Sequence, residues 1–205
     1  MKWNILYLDP PWRFKNWSMK ELEQRGEKWA RANGRSPYEV CSPETMKSWD
    51  IISLCDTDCL MFMWTTYPKL NEAFELVTAW NEGLKKSEQL QYKTVAFTWV
   101  KTNRKSPGYH FGLGYWTRQN PEVCLLFGRG KLKRINNKIE NLVISPLEHH
   151  SKKPDIVRDK IVQLVGDLPR IEIFARNEYK GWDATGLELD KLDIAEFIRR
   201  NNENS

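Results

Sequence analysis

Asp9-Pro10-Pro11-Trp12 limits the architecture more than any other stretch of the chain. It follows Trp3-Asn4-Ile5-Leu6-Tyr7-Leu8 directly, a short apolar, β-favouring run that reads as a buried strand. Two successive prolines deny the backbone both a further rung of the ladder and an immediate helix. A carboxylate is therefore delivered at the carboxyl end of a strand, on a stiff turn, with an indole beside it. In open α/β sheets that edge is where ligands bind. A turn with few conformations to lose suits a site that must fix atoms closely.

The chemistry of the turn follows from its parts. Ionised Asp9 accepts hydrogen bonds, and the Pro10 carbonyl is a second acceptor on extended backbone. Two neighbouring acceptors match an exocyclic NH2, which has two donors. Trp12 offers a flat face on which a planar base can stack. The plainer alternative is a strand that ends in a proline turn, with Trp12 filling the core. The series of strand, acid, two prolines and an aromatic favours a site.

The remaining pattern alternates between strand and helix. Residues 13–43 lack a steady hydrophobic period; Lys20 to Ala32 reads as a charged helix ended by Gly34, and Pro37 and Pro43 bound a loop. Cys59 to Trp64 is the next buried strand. Pro68 opens a helix to about Trp80, with Leu70, Phe74, Val77 and Ala79 toward one side. Tyr92 to Val100, Glu122 to Phe127, Glu140 to Ile144 and Arg170 to Ala175 are further strands. A helix from Ser151, its cap candidate, through Val165 ends at Gly166, with Pro154 in its first turn. Residues 188–200 read as a terminal amphipathic helix. Such alternation predicts an α/β fold, a mostly parallel sheet with helices on both faces.

A chain of 205 residues fits one domain, and 40% hydrophobic residues are enough for a proper core. No apolar run approaches the roughly 20 residues of a membrane span, no signal-peptide pattern opens the chain, and the cysteines show no paired metal-ligand spacing. These features predict a cytoplasmic, reducing setting and no metal site. The net charge of +5 suits a polyanionic partner. Arg129, Lys131, Lys133, Arg134 and Lys138 fall in an acid-free run, and Lys101, Arg104 and Lys105 precede a loop bearing Tyr109, His110, Phe111, Tyr115 and Trp116. Basic side chains among aromatics suit a phosphate backbone and an unstacked base.

Asp-Pro-Pro-Trp resembles motif IV of the amino-methyltransferases that act on nucleic acids. The longer form, Leu8 to Trp17, resembles the family of the eukaryotic mRNA adenine methyltransferase 70 kDa subunit (MT-A type) and its bacterial and phage relatives. Phe97 to Asn103, Gly112 to Arg118, His150 to Asp155, Glu172 to Arg176 and Gly181 to Asp183 follow in the family's order. Together they cover the chain from about Trp3 to Glu188.

The resemblance implies a Rossmann-like S-adenosylmethionine-dependent fold, circularly permuted so that the motif IV strand comes first and the cofactor strand last. It implies one methyltransferase domain over 1–205, with 13–43 and 102–120 as mobile site loops. Asp9, Pro10, Pro11 and Trp12 would carry catalysis. Lys153 would meet the methionine carboxylate, Phe174, Arg176 and Asn177 would line the cofactor pocket with Asp9 at its reacting end, and Glu188 would accept from the ribose. Lys15, Asn16, Trp17, Lys101, Asn103, Tyr115, Trp116, Arg118, Lys131, Lys133 and Arg134 would contact DNA. One departure is Gly186-Leu187-Glu188, where the family commonly has Asn in place of Leu187. The implied activity is methylation of adenine N6 in DNA, from a single strand or with the base flipped out of a duplex. Adenine-N6 methylation of RNA, cytosine-N4 methylation of DNA and a non-catalytic nucleic-acid-binding subunit are the alternatives. A homodimer through the loop after the third strand is a further expectation.

Overall fold

A computed structural model describes residues 1–12, 41–114, 116–148 and 152–203. Seven strands form one sheet: β1 (Trp3–Leu8), β2 (Cys55–Thr66), β3 (Gln91–Thr102), β4 (Glu122–Arg129), β5 (Leu142–Pro146), β6 (Arg170–Ile173) and β7 (Asp183–Thr185). Their spatial order is β5-β3-β4-β2-β1-β6-β7. β1 runs parallel to β2 and β6, β6 to β7, and β3 to β5, whereas β4 is antiparallel to both of its neighbours. The carboxyl ends of six strands and the amino end of β4 therefore share one edge.

Four helices accompany the sheet among the described residues: α1 (Pro43–Lys47), α2 (Leu70–Trp80), α3 (Ile156–Val165) and α4 (Ile194–Glu203). One core layer joins Leu6, Leu8, Met61 and Met63 to Leu76, Val77, Ile194 and Ile198. The other joins Ile5, Tyr7, Phe62 and Trp64 to Val157, Ile161 and Val165. Alternate residues of β1 and β2 thus serve opposite faces, and both strands are apolar nearly throughout because both faces are covered. Helices lie on both sides of a mostly parallel sheet, as the alternation predicts.

Several boundaries differ from the sequence reading. α2 buries Ala73, Leu76, Val77 and Trp80, while Phe74 stays 38% exposed and packs on Tyr92 and Phe127. α3 starts at Ile156, after Pro154 and an Asp155 that makes no side-chain cap bond; Ser151 lies outside the described residues, as do the helix expected over Lys20–Ala32 and the loop to Val40. Gly166 does end α3, at φ 99°. α4 starts at Ile194, because Asp190 organises a turn before it by accepting from the Gly186 and Leu192 N–H groups. α1, capped by the Ser42 hydroxyl, and the three-residue β7 were not foreseen. No described helix is long and apolar enough to cross a membrane.

β1 sits at a topological switch. From β1 the chain moves to β2 on one side, and from β6 it moves to β7 on the other. Connections that diverge leave an open crevice between the ends of the two strands. Leu8 pairs with Ile173 across β1 and β6 and with Met63 across β1 and β2, so Asp9 emerges level with Phe174 and Trp64.

Candidate active site

The diproline corner is held from both sides. The Trp12 N–H donates to the Pro10 carbonyl at 2.7 Å, closing a three-residue turn. The Trp12 indole is buried, and its Nε1–H donates to the Trp64 carbonyl at 3.0 Å. This corrects the expectation of a stacking platform: Trp12 packs into the core and fastens the corner to β2. One lone pair of the Pro10 carbonyl is taken by Trp12.

Asp9 belongs to a chain of four charges. Its Oδ2 accepts from Lys153 Nζ at 2.5 Å; Lys153 also meets Glu122 Oε2 at 3.1 Å, and Glu122 Oε1 meets Lys101 Nζ at 2.6 Å. Lys153 is 7% exposed, Glu122 12%, Lys101 16% and Asp9 29% at the side chain. Burial pushes the Asp9 carboxyl above its ordinary range; Lys153 draws it back and Glu122 adds to the rise. Burial also opposes ionisation of Glu122, but Lys153 and Lys101 outweigh it and hold that carboxyl below the usual range. For Lys153 the burial penalty is overcome by Asp9 and Glu122, so the ammonium is held charged more firmly than in water. Removing one member of such a chain strands its partner, at a cost of about 3–5 kcal/mol for a buried pair.

The expected cofactor residues gather beside this chain of charges. Phe174 leaves β6 in the left-handed region, at φ 65°, a conformation that costs an aromatic residue energy and concentrates at functional sites. The turn is stitched by the Ala175 N–H donating to the Thr185 carbonyl at 2.9 Å. Gly186 makes the approach possible, since a Cβ there would collide with the Ala175 carbonyl oxygen. The chain thus bends sharply after β6 without a glycine at the bend, and β6 stops at Ile173 rather than at Ala175.

A cavity of about 240 Å³ opens at this bend. Asp9, Lys153, Phe174, Arg176 and Asn177 line it, with Asp155, Arg158 and Glu172 behind. Arg158 grips Glu172 through two bonds of 2.6 and 2.5 Å, which braces the floor. Glu188 does not line the cavity, but its Oε1 lies 3.7 Å from Arg176 Nε. Among the described lining residues, Asp9, Asp155, Glu172 and Glu178 are acidic and Lys152, Lys153, Arg158 and Arg176 are basic. The charged lining residues balance in sign, which suits a small zwitterion.

The expected DNA contacts divide three ways. Lys15, Asn16, Trp17 and Tyr115 lie outside the described residues. Trp116 stands 98% exposed on the loop between β3 and β4; on the same loop Arg118 Nη2 donates to the Phe111 carbonyl at 2.6 Å and Asn103 Nδ2 to the Pro107 carbonyl at 3.3 Å. Lys101, expected at a phosphate, is ion-paired with Glu122. Lys131, Lys133 and Arg134 lie apart from the Asp9 cavity. β4 runs against its neighbours and Arg129 pairs with Cys59, so the run after β4 emerges at the opposite edge of the sheet, a strand's length of roughly 20 Å from Asp9.

Glu122, Asn120 and Gly186 are the site residues that the sequence reading missed. Asn120 is buried; its Oδ1 accepts from the Lys101 N–H at 3.0 Å and its Nδ2 donates to the Lys101 and His110 carbonyls. It ties the loop to the charged chain. The available signal was Asn-Pro-Glu directly ahead of an apolar run, an acid where a strand would otherwise begin.

A mostly parallel seven-stranded α/β sheet with a polar cleft at its switch point fits a Rossmann-like methyltransferase. Known proteins narrow this class. The MT-A70 family model matches residues 3–188, and the chain belongs to that family. It is 29% identical over 204 residues to the type II methyltransferase M.MunI of a Mycoplasma species, covering 94% of this chain and 81% of that one. It is 27% identical over 161 residues to an N(6)-adenosine-methyltransferase MT-A70-like protein of Arabidopsis thaliana, and 28% identical over 213 residues to the N(6)-adenine-specific methyltransferase METTL4 of Mus musculus. The chain spans only 22% and 39% of the length of these two relatives.

Proposed function

We propose that the protein transfers a methyl group from S-adenosylmethionine to the exocyclic N6 of adenine in DNA. The observation that carries this reading is the position of Asp9: at a switch-point crevice, on a braced corner, on the rim of a cavity that Lys153, Phe174, Arg176 and Asn177 also line. S-adenosylmethionine, when bound, supplies an electrophilic methyl group on a sulfonium. The mixed-charge lining fits its ammonium, carboxylate and sulfonium groups, with Lys153 suited to the carboxylate and Arg176, which Glu188 meets from outside the cavity, suited to the ribose hydroxyls.

Asp9 and the second lone pair of the Pro10 carbonyl accept the two N–H bonds of the amino group. Both hydrogen bonds favour a pyramidal nitrogen and free its lone pair from the ring. Positive charge grows on that nitrogen as the new bond forms, and the Asp9 carboxylate stabilises it where it appears. Lys153 favours the ionised carboxylate and opposes the rise that burial causes. The braced corner supplies alignment for in-line attack, and alignment is a large part of the rate. The proton leaves after transfer, so Asp9 is not required to be a strong base.

The order of elements supports a circular permutation, with the Asp9 strand first and the Phe174 and Gly186 turns near the end. DNA is favoured as substrate by the M.MunI match, which spans most of both chains. The test is nucleoside mass spectrometry of DNA and RNA incubated with the protein and labelled cofactor. N6-methyladenine in DNA is the expected product. N6-methyladenine confined to RNA, N4-methylcytosine, or no product despite cofactor binding would each replace this reading with the corresponding alternative.

A further inference from the structure

The loop between β3 and β4 leaves and rejoins the sheet at the edge that holds Asp9. At its tip Trp116 is 98% exposed and Leu113 90%, with Tyr109 at 55% and Phe111 at 48% below them. Solvation of so much apolar surface on one loop is unfavourable, and it marks an interaction site. The loop is also built to be stiff. Thr102 bridges Tyr109 and Gly112 bridges Gln119, Arg118 clasps the Phe111 carbonyl, and buried Asn120 fastens the base of the loop to Lys101. A side chain at Gly114 would strike the Thr117 carbonyl oxygen, so the turn before the tip has no slack.

Charge identifies the partner. From Asn103 to Pro121 there is no acidic residue, while Arg104, Lys105 and Arg118 are basic. An apolar point on a basic collar is a poor match for a second protein, whose interface needs about 800 Å² of fitted surface on each side. It matches a nucleic-acid duplex, in which phosphates surround a stack that an apolar side chain can enter.

Resting on the adenine-methyltransferase reading above, we propose that Trp116 is a duplex-opening wedge: it enters the base stack beside the target and holds the gap left by the extruded adenine. The substrate is then double-stranded DNA, and the indole acts on the stack rather than on the flipped base. Base extrusion is hardest from an intact duplex and costs least from a single strand. The wedge is therefore needed on the first and dispensable on the second.

The experiment compares wild type with Trp116→Ala on one plasmid, intact and after heat denaturation and quenching, reading methyl incorporation from labelled cofactor. The duplex-to-denatured ratio is expected to fall at least ten-fold in the variant, and Trp116→Phe to recover most of it. An unchanged ratio, whether both activities fall or neither does, overturns the wedge. Loss of a dimer on substitution, with both activities falling together, assigns the loop to a protein interface and also overturns it. Permanganate reactivity of thymines on the intact plasmid gives a readout independent of catalysis. Wild type should expose thymines opposite the extruded base and Trp116→Ala should not. No exposure by wild type refutes the wedge even if methylation proceeds, whereas exposure without methylation retains the wedge and refutes the proposed chemistry.

Discussion

The two ends of β4 carry similar residues to opposite fates. At its amino end Glu122 joins Lys101, Lys153 and Asp9 in one nearly buried chain of charges. At its carboxyl end Arg129 leads into Lys131, Lys133 and Arg134, which are exposed. Arg129 itself donates to the Cys55, Asp56 and Glu88 carbonyls and so serves the fold. In sequence the second group is the denser and draws more attention. In the structure the first group lies at the edge of the sheet that holds the cavity, which Asp9 and Lys153 line. Strand polarity, rather than charge density, decides which of the two groups lies beside it.

The comparison is tested most severely at Asp9. Asp9→Asn preserves the shape of the corner and removes the negative charge that the transition state uses. Its kcat should fall by about 10³-fold, the size expected when a preorganised electrostatic partner is lost. Cofactor affinity, read by calorimetry, should stay within a few-fold. A variant that turns over normally would remove Asp9 from the chemistry.

Glu122→Gln comes next. It leaves Lys101 and Lys153 sharing no anion between them and lets Lys153 swing, so both stability and turnover should suffer. About 3 kcal/mol of stability is the expected loss, read from urea midpoints. At Lys133, which is exposed, the corresponding change should be within about 0.5 kcal/mol.

The pH dependence sharpens the same contrast. Glu122 is held below its ordinary 4.5, so its contribution is present above that pH and is lost as pH falls through the folded value. Lys153 is held above its ordinary 10.5, so its contribution is complete below that pH and is lost only as pH rises through the folded value. Asp9 is raised, so its ionisation costs stability at neutral pH and acid relieves that cost. The stability gap between wild type and Glu122→Gln should therefore be widest at neutral pH and narrow below about 4.5. A gap that is constant with pH would mean that Glu122 acts by packing rather than by charge.

The sequence disclosed those features that a few residues dictate locally. Two prolines after an apolar run leave one course for the backbone, and the Asp9 corner is where that course leads. Lys153, Phe174, Arg176 and Asn177 could be named because family motifs mark their positions, and the structure brings all four to one cavity. The direction of β4 is not written in its own residues, since Glu-Val-Cys-Leu-Leu-Phe reads alike for either polarity. That one unknown concealed Glu122 and gave no sign that Lys131, Lys133 and Arg134 emerge at the edge away from Asp9. The left-handed Phe174 was hidden for a different reason: the glycine that permits the bend, Gly186, lies twelve residues further along and acts across space. Trp12 could have been a platform or an anchor, and only the Trp64 carbonyl decides for the anchor.

The smallest effect is expected at the far edge. Reversing three charges with K131E, K133E and R134E places them on side chains that face solvent; what holds this turn is the Lys131 backbone N–H, which donates to Asp58 Oδ1 at 2.7 Å and survives the substitution. Turnover on DNA should stay within about three-fold at physiological salt, where charges farther apart than a Debye length of about 8 Å are largely screened. Each phosphate that a side chain ceases to neutralise would lower the slope of log affinity against log salt by about 0.9, so three true phosphate-binding residues would flatten it by about 2.7. An unchanged slope places DNA on the Asp9 edge alone. A slope flattened by that amount would mean that the duplex wraps from one edge of the sheet to the other, and the contrast between the two ends of β4 would then be one of role, catalysis against grip, rather than of site against scaffold.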